Sequence, residues 1–208
     1  MAKHVALLGD SIFDNAAYVP SGPAVLDILR DRLAPEDQAT LLAVDGACVA
    51  NVYRQLQNLP DDVTHVVLSI GGNDALIAAS DLFTEDPQPL GHALERVANT
   101  VSAFGKEYRE LLTEIRMLEK PLAVCTIYDR VPGLGIAERA GLSVFNDRIT
   151  RTAFEMGLTV IDLRLICDEA GDYSTVSPIE PSAQGGKKIA EAIAGALSSV
   201  TSYRRVVV

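Results

Sequence analysis

Histidine is scarce in this chain of 208 residues: it occurs at positions 4, 65 and 92 and is absent from the C-terminal half. Cysteine is as sparse, with Cys48, Cys125 and Cys167 far apart. Such scattered residues supply no metal-ligand set, and an odd number of distant cysteines gives no disulfide framework. Free thiols in a reducing compartment, no metal and no other cofactor are therefore expected. Basic side chains are also short, with 18 Lys and Arg against 28 Asp and Glu and a net charge of −10. That balance disfavours nucleic acid and anionic membrane surfaces, since a polyphosphate partner is bound by a basic face that displaces counterions. No stretch reaches the roughly 18 to 20 uninterrupted apolar residues of a membrane span. The apolar run ending at Gly9-Asp10 is too brief for a signal-peptide core and lacks a small-residue cleavage site. A cytoplasmic protein with no nucleic-acid and no membrane partner is the expectation. No proline-, glycine- or serine-rich stretch divides the chain, so residues 1–208 are expected to form one domain.

Hydrophobic residues are plentiful, at 48%. Short runs of Val, Leu and Ile alternate with longer amphipathic segments, the pattern of βα units around a buried parallel sheet. Strands are predicted at Val5 to Leu8, Thr40 to Val44, His65 to Ile70, Leu122 to Ile127 and Thr159 to Leu163. Helices are predicted at about Gly22 to Leu33, Val49 to Leu56, Leu90 to Leu118, Ile136 to Met156 and Ser182 to Leu197. The fold class is α/β, a flavodoxin-like, doubly wound, five-stranded parallel sheet of order 2-1-3-4-5 with helices on both faces. The segment Asp81 to Pro89 reads as a loop, and the C-terminal Arg204-Arg205-Val206-Val207-Val208 reads as an edge strand or a contact between copies.

Three glycine-anchored motifs close the first three strands: Gly9-Asp10-Ser11, Asp45-Gly46 and Gly71-Gly72-Asn73-Asp74. In an open parallel sheet the ligand crevice lies outside the carboxyl ends of the strands, so Ser11, Gly46 and Asn73 are expected to meet there, each two or three residues beyond a strand. His4 and His65 begin their strands and should lie about 15–25 Å from that crevice at about 3.3 Å of rise per residue. His92, near the start of the long helix on the crevice side, is left as a candidate base or a solvated surface residue. The patterns of a dinucleotide fold and a phosphate-binding loop are missing from the first turn, which disfavours a nucleotide ligand.

At these motifs the chain resembles the SGNH hydrolase family, also called GDSL esterases and lipases. The resemblance implies that Ser11 is a nucleophile and that the backbone N–H groups of Ser11 and Gly46, with the Asn73 amide, form an oxyanion hole. It also implies a small-molecule ester substrate, such as an acetyl or short acyl ester. The family's final Asp-x-x-His block is replaced by Ser177-Pro178-Ile179-Glu180, which leads into Pro181-Ser182-Ala183-Gln184-Gly185-Gly186 and the last helix. In that register Glu180 stands at the histidine position and Ser177 at the aspartate position, with the Ser177 hydroxyl able to orient the carboxylate. An unperturbed glutamate, near pKa 4.3, is a weaker base than histidine, but burial or neighbouring carboxylates such as Asp10, Asp74 or Asp129 would raise it. The alternative is a catalytically silent binding protein on the same scaffold. Arg54 is a candidate for holding a substrate carboxylate or a solvated helix residue. Tyr128-Asp129 and Asp172-Tyr173 are candidates for lining the pocket. The absence of an extended hydrophobic lid segment disfavours long-chain lipids, and the oligomeric state is unknown.

Overall fold

The computed structural model describes residues 2–83 and 89–198. Five strands, β1 (His4–Gly9), β2 (Gln38–Leu41), β3 (His65–Ser69), β4 (Leu122–Cys125) and β5 (Thr159–Ile161), form a wholly parallel sheet. Their order is β2-β1-β3-β4-β5, as the sequence pattern implies. The helices are α1 (Val25–Arg32), α2 (Val49–Leu56), α3 (Gly72–Phe83), α4 (Leu90–Arg116), α5 (Ile136–Glu155), the one-turn α6 (Leu163–Ile166) and α7 (Ala183–Ser198).

Alternation along the strands divides the core into two layers, because successive side chains point to opposite faces. Val5 and Leu7 of β1 pack with Val67 of β3 against Val25 of α1 and Ile189 of α7. Ala6 and Leu8 pack with Leu68 on the other face against Val52 of α2, Leu111 of α4 and Ile149 of α5. Burial on both faces is why these strands read as unbroken apolar runs.

The structure departs from the sequence pattern in two places that matter for the site. β2 ends at Leu41 although the apolar run continues to Val44: the N–H groups of Leu42 and Ala43 both converge on the Leu7 carbonyl at 2.9 Å, which breaks the ladder. Residues 72–83, including the start of the expected Asp81 to Pro89 loop, form α3, because Ala75, Leu76, Ala78, Ala79 and Leu82 favour a helix. Gly46 therefore lies five residues past its strand, and Asn73 sits in the first turn of a helix. Residues 84–88 and the Arg204-Arg205-Val206-Val207-Val208 tail lie outside the described residues.

The ends of β1 and β3 approach each other more closely than side chains permit. Gly9 adopts φ +128°, and a Cβ there would lie 1.7 Å from the Ser69 carbonyl oxygen, so the position accepts only glycine. The buried Gln55 amide of α2 brackets the same residue, accepting from Gly9 N–H at 2.8 Å and donating to the Gly9 carbonyl at 2.7 Å. The strand that delivers Ser11 is thereby fixed from both sides.

Candidate active site

Ser11 is buried two residues beyond β1, at the point where the order of the sheet reverses between β1 and β3. The Asp10 N–H donates to the Ser69 carbonyl at 3.1 Å. Past it the chain turns at once: Phe13 N–H and Asp14 N–H both donate to the Asp10 carbonyl at 3.1 and 3.2 Å, and Ile12 N–H donates to Asp10 Oδ1 at 3.2 Å. Within this turn the Ser11 N–H donates to no acceptor among the described residues.

The loop carrying Gly46 is held from three directions. Asp45 N–H donates to Asp14 at 2.9 Å, Tyr18 O–H donates to Asp45 at 2.6 Å, and Asn73 Nδ2 donates to the Ala47 carbonyl at 2.9 Å. Gly46 turns through φ +76° and is exposed, a Cβ there would meet nothing within 4 Å, and its N–H donates to no backbone acceptor among the described residues. The bond to Ala47 occupies one amide hydrogen of Asn73 and orients the second.

Glu180 reaches the same place from the far end of the chain. Its own backbone is held by Ser174 N–H, which donates to the Glu180 carbonyl at 2.8 Å, and by its N–H, which donates to the Ser177 carbonyl at 3.0 Å. Flanking it, Tyr128 O–H donates to the Ile179 carbonyl at 2.6 Å and Asn15 Nδ2 donates to the Pro181 carbonyl at 3.2 Å. Asn15 also accepts from Val25 N–H at 2.9 Å, tying the Ser11 turn, α1 and the Glu180 segment into one unit. Ser177 thus acts through its carbonyl: its hydroxyl makes no hydrogen bond to Glu180, a correction to the orienting role expected from sequence.

Glu180 is only 4% exposed, and its Oε2 has no hydrogen-bond partner among the described residues. Loss of hydration lifts its pKa from 4.5 to about 7, the Ser11 hydroxyl directed at it pulls it part of the way back, and the Asp45 charge adds to the rise. Asp10 is also buried; desolvation, aided by the charges of Glu180 and Asp74, pushes it to about 8 despite the Ile12 N–H. Burial raises Asp74 as well. A carboxylate in the range of histidine stands beside a serine.

Ser11, Asn73, Asp10 and Glu180 line one end of a cleft of about 160 Å³ that continues between α3, α4 and α5. Among the described residues no lysine, arginine or histidine lines it. Gly46 lines a separate depression of about 360 Å³, together with Asp45, Asn51, Arg54 and Asn58. Arg54 is exposed there and lies away from the cleft. His92 is exposed on the first turn of α4 and is not among the cleft residues, while His4 bonds Asp62 and Thr40 at 2.8 Å in its buried strand. Asp172 is wholly buried beneath Lys188 and Gln184, at 2.8 and 3.0 Å, and serves α7 rather than the pocket. Tyr173 stacks edge-on against Tyr128 at 5.0 Å and donates to the Cys167 carbonyl. Sequence reasoning misses the positioning work of Asn15 and Tyr128, since a lone Asn or Tyr carries no motif. It also misses the apolar half of the cleft, which depends on the undetected α3.

Comparison with known proteins gives the following. The model of the GDSL-like lipase/acylhydrolase family matches residues 7–188. No curated protein matches the chain. Among solved structures the chain is similar to an extracellular lipase from Streptomyces rimosus, with 20% identity and a TM-score of 0.67 over 96% of this chain and 100% of that one. It is similar to a psychrotrophic esterase from Pseudoalteromonas sp., inhibited by monoethylphosphonate in its structure, with 17% identity and a TM-score of 0.66 over 95% and 97% of the two chains. It is also similar to an acetylxylan esterase from Geobacillus stearothermophilus, with 16% identity and a TM-score of 0.65 over 94% of each chain. The expectation of a cytoplasmic protein is overturned by the extracellular lipase: the same fold works outside the cell, so scattered free cysteines and a short first apolar run do not assign a compartment.

Proposed function

The chain belongs to the family of GDSL-like lipases and acylhydrolases, and from that premise we propose ester hydrolysis in which Ser11 is the nucleophile and Glu180 the proton acceptor. Its activity is of the esterase or lipase class. The observation that carries the finer reading is the buried Glu180 carboxylate, its Oε2 unpartnered among the described residues, lining the same cleft as Ser11.

An ordinary glutamate is about two pKa units less basic than histidine, too weak an acceptor for a serine proton near neutrality. Raised by burial to about 7, Glu180 approaches the basicity of an imidazole. As Ser11 Oγ attacks the ester carbonyl carbon, its proton passes to Glu180 and the carbonyl electron pair becomes an oxyanion. Ser11 N–H, Gly46 N–H and the second Asn73 hydrogen receive that charge, three donors not consumed by the fold. Collapse breaks the bond to the alkoxy oxygen, which takes the proton from Glu180 and leaves as an alcohol. Water then attacks the acyl-Ser11 carbonyl, gives its proton to Glu180, and the acid departs as Ser11 recovers its own. With Asp10, Asp45, Asp74 and Glu180 around the site and no cation in the cleft, a neutral ester is favoured over an anionic one.

Removing one oxyanion donor typically costs about a hundredfold or more in kcat. Asn73→Ala is expected to lower kcat by about that factor with little change in KM, measured by steady-state hydrolysis of a p-nitrophenyl ester. The direct test of the nucleophile is covalent trapping, suggested by the phosphonate-inhibited Pseudoalteromonas esterase. An activated alkylphosphonate ester should add one phosphonyl group to the intact protein at Ser11, with a rate that rises as pH increases through about 7. Absence of labelling across pH 5 to 9 would remove the hydrolytic mechanism and leave a binding role for the pocket.

A further inference from the structure

The cleft beyond Ser11 is not the shape that an acetyl group requires. Away from the sheet edge it is lined by apolar side chains, among them Ala79 and Leu82 of α3, Val97 of α4 and Leu142 and Phe145 of α5. The exceptions are exposed Glu138 and Tyr128, whose hydroxyl is spent on the Ile179 carbonyl. The cleft as a whole, its polar end included, has a volume of about 160 Å³, close to that of an engineered apolar cavity of about 150 Å³ that takes benzene, room for roughly six carbons.

Gly141 is the second observation. It sits inside the 20-residue helix α5, where glycine is destabilising relative to alanine, and its backbone does not require glycine, since its φ lies outside the left-handed range. It lines the cleft, and a Cβ added there meets nothing within 4 Å. The missing side chain leaves space in the cleft rather than permitting a turn or a close contact.

We infer that this cleft is an acyl subsite, kept open by Gly141, and that the substrate is a neutral ester of a medium-length acyl chain of roughly six carbons. The assignment rests on the Ser11 reading above. The acyl half of the ester takes the apolar cleft because it stays covalently attached while water enters. The alcohol must leave, and the separate depression lined by Gly46, Asp45, Asn51, Arg54 and Asn58 lies outside the apolar cleft.

The test compares kcat/KM for p-nitrophenyl hexanoate and acetate in the wild type, Gly141→Ala and Gly141→Phe, with thermal melts to establish folding. Each buried methylene is worth up to about fourfold, so the wild type should prefer hexanoate by about a hundredfold. Gly141→Ala should retain that preference, and Gly141→Phe should reduce it to within about threefold by lowering hexanoate turnover. The isomers methyl hexanoate and pentyl acetate separate the two halves of the ester: preference for pentyl acetate, or a chain-length profile unmoved by Gly141→Phe, overturns the acyl subsite. Binding of hexanamide against acetamide, read by calorimetry, needs no turnover. Hexanamide binding that Gly141→Phe abolishes, in a protein that hydrolyses none of these esters, supports the subsite and removes the hydrolytic mechanism instead; hexanamide bound no better than acetamide overturns the subsite.

Discussion

Replacement of Ser11 by alanine is expected to lower kcat/KM for a neutral activated ester by at least about a thousandfold, to the level left by binding and the oxyanion donors alone. The size follows from the role: without the hydroxyl there is no acyl-enzyme, and the remaining groups merely hold the ester while water attacks unaided. Structure gives the variant little other reason to fail. Ser11 is buried at the end of a turn fixed by the Asp10 carbonyl and Asp10 Oδ1, and alanine retains the Cβ and the N–H. Loss of the hydroxyl also removes the donor that holds Glu180 down, so the Glu180 pKa should rise further in the variant. A melt within a few degrees of wild type, together with the lost turnover, would separate chemistry from folding. Turnover equal to wild type would mean that any hydrolysis observed comes from another group or a contaminant.

Where the sequence was legible, a simple physical rule stood behind it. Burial on both faces forces the strands of this sheet to be apolar throughout, so β1 and β3 announce themselves, and α2 falls at Val49–Leu56 as its amphipathic spacing predicts. β2 misleads because Leu42 and Ala43 are as apolar as the strand before them, yet their N–H groups share a single carbonyl. That competition for Leu7 is a tertiary fact with no local signature. α3 was missed because Gly71-Gly72-Asn73-Asp74 looks like the opening of a loop, whereas Asp74 caps into the neighbouring segment by accepting from Val49 N–H at 3.3 Å.

The site divides in the same way. Ser11 and Asn73 carry motifs, and the register before α7 singles out Glu180, so sequence brings three of the four candidate residues to one cleft. Gly46 lies beside it rather than in it, displaced by the early end of β2, and is tied back through Ala47 and Asn73. What no sequence pattern contains is the depth of Glu180. Its burial depends on the Ile179 carbonyl being held by Tyr128 and the Pro181 carbonyl by Asn15, contacts spanning 51 and 166 residues. The apolar cleft is likewise invisible along the chain, since it exists only where α3 faces α5.

Glu180→Gln is expected to move activity and stability in opposite directions. Glutamine is close to isosteric and can occupy the same pocket, but it cannot accept the Ser11 proton, so kcat/KM should fall by about a thousandfold. In the wild type the limb of kcat/KM that rises near pH 7 reports ionisation of Glu180; the variant's residual rate should lack that limb. Stability follows from linkage. The folded Glu180 pKa, about 7, lies above its ordinary value of 4.5, so between these limits the folded state binds more protons than the unfolded state, and stability falls as pH rises. Below pH 4.5 both states hold the proton and nothing is lost; above 7 the folded state bears a buried, incompletely hydrogen-bonded charge at full cost. Glutamine never acquires that charge. The variant should therefore be more stable than wild type at pH 8 by roughly 2–3 kcal/mol, or about 5–10 °C in Tm, with the advantage vanishing at pH 4. Relief of Asp10, whose own pKa the Glu180 charge raises, adds in the same direction. Calorimetric melts at the two pH values read the difference directly. A variant stabilised at pH 8 that still turns over would show a buried carboxylate that is not the base, whereas one destabilised at pH 8 would mean that the folded protein favours the ionised form. Loss of activity joined to gain of stability is the signature of a base whose reactivity is maintained by denying it water.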